Sequence, residues 1–369
     1  MLGLTAALAA GCAAAPASSG AAAAGRLDRS TAPVVTAAQA RQVFDAYVAT
    51  AAKAAKTGDR KLALSAVTGA QQAVLAAALD RHPVTASGAP PGGAYSSTLT
   101  ITPSFEPDAY RATAFYRPEA ARYPRYFVAG ATKAPGASSP GRQAPVLVGD
   151  VALPADGPVL LLFEQASAGA PWLLGSVSQL PAGAALPKLA TDSAGYVPLV
   201  PPSAGILLAQ LDSVGPLQAA VVDDGPSSAA AAAVSAGPLT TGLYQGAVNH
   251  ADELTPPSGD VCQWELDSAG YPEFALRTAA GGALVFYAMT LTTTVAVPGY
   301  LSKADPVLSG LPIKVPADLM ELLPAGQGAP LVQLSAEQTL SFAAVDPAPG
   351  QGKIQVIAIG GGLTAASAS

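Results

Sequence analysis

The chain has 369 residues, enough for two domains, and only 12% of them are charged, about half the usual share for a soluble domain. Lys and Arg number 19 against 25 Asp and Glu; the net charge of −6 argues against a general nucleic-acid binder and leaves no polybasic patch for anionic lipid. With 2 His and a single Asn, Asn249, a His-rich zinc site and an N-glycosylation sequon are also set aside.

Residues 1–12 read MLGLTAALAAGC and close on Leu8-Ala9-Ala10-Gly11-Cys12. This run is similar to a bacterial lipobox, in which small side chains let a peptidase grip the extended backbone just before a Cys. The resemblance implies that residues 1–11 are a signal peptide, and that the Cys12 thiol becomes a thioether to diacylglycerol. No Lys or Arg precedes Cys12, so the positive opening expected of a signal is placed upstream of Met1. Residues 12–33 are low-complexity Ala, Ser, Gly and Pro, which cannot bury enough apolar area to offset chain entropy. They are predicted to be a flexible tether spanning on the order of 25 Å. The protein is therefore expected outside the cytoplasm, with the membrane as its partner through lipid on Cys12. A spanning helix is not predicted: the long uncharged run near 281–299 carries four Thr and reads as strand.

After the tether, Thr36 and Gln39 have capping-box spacing, and Phe44, Tyr47, Val48 and Ala51 share one helical face up to a stop at Gly58. A second helix is predicted near 59–67, and a third from Thr68 to His82-Pro83. Strands are predicted at 97–105, 110–116, 122–131, 158–166 and 171–180, the last two as a hairpin through Ser167–Ala170. The second half repeats the order, with helices at 205–224 and 226–253, then strands at 260–267, 272–278, 282–297, 331–345 and 352–359. A Pro-rich insertion at about 298–329 interrupts them. Helices followed by runs of antiparallel strands mean α+β, and seeing the order twice suggests a divergent tandem repeat. The expected organisation is a first α+β domain at 34–182, a linker at 183–204, a second α+β domain at 205–361 and a disordered tail at 362–369.

The segment YVATAAKAAKTGD, from Tyr47 to Asp59, is similar to the opening helix of nuclear-transport-factor-like domains, which are cystatin-like α+β rolls. The segments 115–129, 160–180 and 275–293 resemble an uncharacterised lipoprotein family of high-GC Gram-positive bacteria. The resemblance implies two tandem rolls behind a lipid anchor. It carries over no functional residues.

No nucleophile elbow, Ser-x-x-Lys, His-Glu-x-x-His, phosphate loop or dinucleotide fingerprint occurs, so a non-enzymatic role is expected, without cofactor or metal. The richest local feature is 110–127, with four Arg and six aromatics in 18 residues. Aromatic platforms beside Arg suit sugars, phosphates or carboxylates, which makes Tyr116, Arg117, Arg125 and Tyr126 the candidate ligand-binding residues. The competing reading is a hairpin whose aromatics are core and whose Arg side chains pair with Glu106, Asp108 and Glu119. Glu164, inside an apolar run, is either an ordinary exposed strand end or a buried acid of raised pKa. His82 and His250 read as helix termini, and Cys262 as a small buried hydrophobe. The leading expectation is an envelope lipoprotein that binds an envelope protein, a polysaccharide or a small ligand. The alternatives are a solute-capture lipoprotein of a transporter, and a hydrolase or isomerase using Glu164 or His250.

Overall fold

A computed structural model describes residues 35–80, 110–119, 123–133, 146–148, 151–154, 157–200, 205–254, 261–296 and 333–368. They belong to the compact unit that starts at Thr31. Cys12, the tether, His82, the predicted strand 97–105 and the insertion 298–329 lie outside the described residues.

Helix α1 (Ala37–Thr57) starts at the predicted capping box. Thr36 Oγ1 accepts from the Gln39 amide at 3.2 Å, and Gln39 Oε1 accepts from the Thr36 amide at 2.9 Å, which satisfies two donors that a helix start would otherwise leave orphaned. Gly58, at φ +66°, ends the helix in the left-handed conformation. Asp59 then caps α2 (Arg60–Leu64), accepting from the Leu62 amide at 2.9 Å. The turn into α3 (Gly69–Asp80) is bonded to the sheet, with the Thr68 amide donating to the Leu174 carbonyl at 2.9 Å.

The strands are β1 (Tyr110–Pro118), β2 (Arg125–Lys133), β3 (Val146–Val148), β4 (Val151–Leu153), β5 (Val159–Gln165), β6 (Leu173–Gln179) and β7 (Tyr196–Val197). Then come α4 (Leu211–Asp224), a 3-10 turn (Ala229–Ala232), α5 (Thr241–Leu254), β8 (Val261–Ser268), β9 (Phe274–Arg277), β10 (Ala283–Ala296), β11 (Gln333–Asp346) and β12 (Gln355–Ala368). Helix at 226–253 is confined to the 3-10 turn and α5, because Gly225-Pro226 and Gly237-Pro238 break it twice. Pro216 sits inside α4, where Gly215 lets the helix approach β10: a Cβ there would lie 2.7 Å from Met289 Sδ.

The described residues form a mixed α+β fold around one open sheet of 10 strands, in the order β7-β1-β2-β5-β6-β12-β11-β10-β8, with β9 also paired to β10. Only β7 pairs in parallel, with β1; the other pairings within this sheet are antiparallel. The first half contributes the meander β1-β2-β5-β6. The second contributes β8 and β9, then β10-β11-β12. The two meet last strand to last strand, at the pair Ile359–Gln179. Helix α3 packs across the seam on β6, β12 and β11.

Three packed cores follow from the period-two alternation of side chains. Phe127, Ala129, Leu161 and Phe163 face α1 and α2. Val285, Tyr287, Leu340 and Phe342 face α4 and α5. On the opposite face, Tyr126, Val128, Leu160 and Leu162 of the first meander pack with Phe274, Leu276, Leu284 and Phe286 of the second. The sheet thus folds back so that its two halves share a central core. Of the segment 183–204, expected as a linker, residues 183–200 are built into this body. Within it β7 extends the sheet, Leu189 bridges to Thr278, and Leu199 bridges to Leu276. The predicted disordered tail is likewise corrected: residues 362–368 belong to β12, where Leu363 pairs with Gln338 and Ala368 with Leu334. In that ladder Gly362, Ala365 and Ala368 lie opposite Thr339, Glu337 and Leu334.

Candidate functional site

The four predicted ligand-binding residues do not converge. Arg117 is buried; its Nη2 donates to the Ala194 and Gly195 carbonyls at 3.2 Å each, and its guanidinium lies 4.4 Å from the Tyr196 ring centroid. It pins the turn into β7. Tyr116 packs against the central core, where burial raises its phenol pKa. Tyr126 is buried in that core, donates to the Ala275 carbonyl at 2.7 Å and packs its ring tilted against Phe274, 4.6 Å between centroids. Its phenol pKa is raised by burial, which outweighs the bond to Ala275. Tyr126→Phe removes one buried hydrogen bond between the halves. The expected result is a loss of about 1 kcal/mol in denaturant unfolding, with the cleft described next unaffected.

Arg125, one residue earlier on β2, points the other way. It is half-buried and lines an open cleft of about 690 Å³ between α1, α2 and the start of β6. One wall is a stripe of α1: Gln39, Gln42, Val43, Ala46, Tyr47 and Thr50 recur at helical spacing on one face. The other wall holds Gln165, Pro171, Trp172 and Leu173. Arg125 and Gln165 are register partners across β2 and β5, so both prolong the Phe127–Phe163 face beyond the point where α1 covers it. Trp172 is anchored against Phe127 at 5.2 Å and Tyr47 against Phe163 at 5.7 Å. Burial, and then Tyr110, raise the Tyr47 phenol pKa, so it stays a neutral donor.

Among the described residues, Arg125 is the only charged side chain in the lining. Its guanidinium lies 4.6 Å from the Tyr123 ring centroid, and its buried Nε has no hydrogen-bond partner. Of the acids expected to pair with the Arg cluster, Glu106 and Asp108 lie outside the described residues; among the described residues the ion pair is Arg60–Asp80, at 2.8 Å. A buried donor left without a partner among the described residues is costly, and the guanidinium's charge faces the cleft. The cleft can therefore hold a ligand with a planar or ring-shaped apolar face, hydrogen-bonding groups and an anionic end.

Glu164 turns inward, against the reading of an exposed strand end. Its carboxyl lies over Gly175, where a Cβ would overlap Oε1 and stand 2.7 Å from Cδ. Burial pushes the Glu164 pKa up to about 7. The cavity beside it, lined also by Tyr271, Pro272 and Phe286, is about 20 Å³, room for about one water. Two further carboxyls serve the backbone: Asp346 accepts from the Leu208 and Ala209 amides at 3.2 and 3.3 Å, and Asp223 from Leu266 at 3.1 Å. His250 lies in α5 and Cys262 in β8 opposite Val295. No group of three metal-ligating side chains gathers among the described residues, and none of their helices is long and apolar enough to cross a membrane.

Sequence reasoning found Arg125 but missed Gln42, Gln165 and Trp172. The available signal was the row of Gln residues beside Tyr47 on α1, and a Trp between Pro171 and the start of β6.

Residues 31–368 match the family described as "Domain of unknown function (DUF8094)", and the chain belongs to that family. Neither the curated proteins nor the solved structures contain a match.

Proposed function

We propose that this DUF8094 family member is a non-enzymatic lipoprotein, held at the outer face of a cell membrane by lipid on Cys12, that binds an envelope component in the cleft beside α1. The observation that carries the binding role is the cleft itself, with Trp172, Tyr47 and Arg125, the one charged side chain among the described residues of its lining. The anchoring role is supported by the run Leu8–Cys12 and the Ala/Ser/Gly stretch behind it. The hydrolase reading is less favoured, since the cavity at Glu164 has no room for a substrate. A hinged solute-capture protein is also less favoured, because its two lobes would here have to share one sheet and one central core. We also read the fold as a tandem of two cystatin-like rolls fused at their last strands. Support comes from the repeated order of helices then meander and from the antiparallel meeting of β6 and β12.

The anchoring role is tested by expressing the full-length protein in a Gram-positive host and fractionating the cells. The wild type is expected in the membrane fraction, with the added mass of a diacylglyceryl group on Cys12; Cys12→Ser should lose both. A membrane-free wild type with an unmodified Cys12 thiol overturns the anchor.

A further inference from the structure

We infer that the cleft beside α1 takes a saccharide bearing a carboxylate, which Arg125 pairs with while Trp172 carries the sugar ring; this rests on the binding role proposed above. The charge pattern sets the anion. One guanidinium, lying over the Tyr123 ring at 4.6 Å from its centroid, presents a planar fork that matches a carboxylate in bidentate fashion. Among the described residues no second cation lines the cleft, as a phosphate dianion would favour. The start of α1 already caps its Thr36 and Gln39 amides with its own side chains, so the fork of Arg125 is the cleft's charged donor.

The rest of the lining sets the body of the ligand. Trp172 and Tyr47 offer apolar faces, and Gln42, Gln165 and Thr50 offer donors and acceptors around them. The Gln165 amide nitrogen is engaged by the Ala170 carbonyl at 2.7 Å, which leaves its oxygen to accept from a hydroxyl. A pyranose has this dual character, with a C–H face for stacking and ring hydroxyls that both donate and accept. A fatty acyl chain would leave the amides unpaired at a cost. The volume of about 690 Å³ lies within the range of small-ligand sites.

The test is calorimetric titration of the purified protein with four probes: a trisaccharide containing one glucuronic acid, its all-glucose counterpart, triglycine with a free carboxylate, and inorganic phosphate. The acidic trisaccharide is expected to bind at least about tenfold more tightly than the other three. Arg125→Gln should reduce it to the level of the neutral sugar, a loss of about tenfold or more for a charge-assisted pair; Arg125→Lys should fall between. Trp172→Ala should abolish binding of both sugars, and unchanged melting of the Arg125 variants separates ligand loss from misfolding. Equal affinity for acidic and neutral sugars, preference for triglycine or phosphate, or no binding to any probe overturns the inference. Sedimentation with isolated envelope fragments keeps the two readings apart: Trp172-dependent binding leaves the broader binding role standing, and its absence removes that role as well.

Discussion

Gly360→Ala is expected to destabilise the protein by at least about 3 kcal/mol, and Gly360→Val to prevent soluble expression. Gly360 sits in β12 beside Ile359, whose pair with Gln179 joins the two halves of the sheet. A Cβ on Gly360 would overlap the Val177 carbonyl oxygen, lie 2.9 Å from its carbon, and stand 3.1 Å from Ser178 Cα. All three obstacles are backbone of β6, so no side chain can rotate away and the strands must separate. Their separation strains the central core and the seat of α3 together, since α3 rests on β6, β12 and β11. The next residue is equally constrained: Gly361 has φ +125°, and a Cβ there would overlap the Thr339 carbonyl oxygen and lie 2.8 Å from Leu340 Cα. Gly205→Ala is the control, because its Cβ meets nothing within 4 Å; it should change stability by less than about 0.5 kcal/mol. Denaturant midpoints of the three proteins decide the matter. A Gly360→Ala midpoint close to that of Gly205→Ala would mean that the seam gives way freely and does not hold the halves together.

That seam marks where sequence reasoning stopped. The helices and most strands were legible because their signals are local: Thr36 and Gln39 cap α1, Gly58 stops it, and the turn Ser167–Ala170 joins the apolar run of β5 to β6. The order of helices before strands, twice over, was legible for the same reason. The meeting of β6 with β12 was not, since it joins residues about as far apart as Gln179 and Ile359 and its sequence trace is only a run of three Gly that also reads as a tail. The strip 183–204 looked like a linker because eight of its 22 residues are Pro, Gly or Ser, yet Leu189, Val197 and Leu199 each find a partner across the fold. The cleft was half legible. Arg125 stood out in an Arg-poor chain, but alternation sends Tyr126 to the opposite face of the sheet, so adjacency in sequence became separation in space. Trp172, Gln165 and the α1 stripe come from three segments, and only their packing brings them together.

The second large effect is on pH. The Glu164 carboxyl titrates at about 7 in the fold, against 4.5 for a free glutamate, because burial disfavours its charged form. A folded pKa raised above the unfolded value means that, between the two, the unfolded chain has released a proton that the fold still holds. Stability contributed by Glu164 is therefore complete below about pH 4.5 and lost as pH rises to about 7. The interval of roughly 2.5 pH units corresponds to about 3 kcal/mol. Glu273 acts in the same direction and window, raised to about 7 by burial and then by Asp212, but solvent reaches it and its share is smaller. Asp346 and Asp223, each raised to about 6 chiefly by burial, add their loss between about pH 4 and 6. The protein should thus be more stable in mild acid than at neutrality. Glu164→Gln keeps the shape of the side chain and removes the charge. In urea titrations at a series of pH values, the variant should match the wild type near pH 4.5 and exceed it by about 2–3 kcal/mol at pH 7.5. Parallel curves for the two proteins would show that Glu164 ionises in the fold as it does in water, and that the carboxyl over Gly175 is hydrated rather than enclosed.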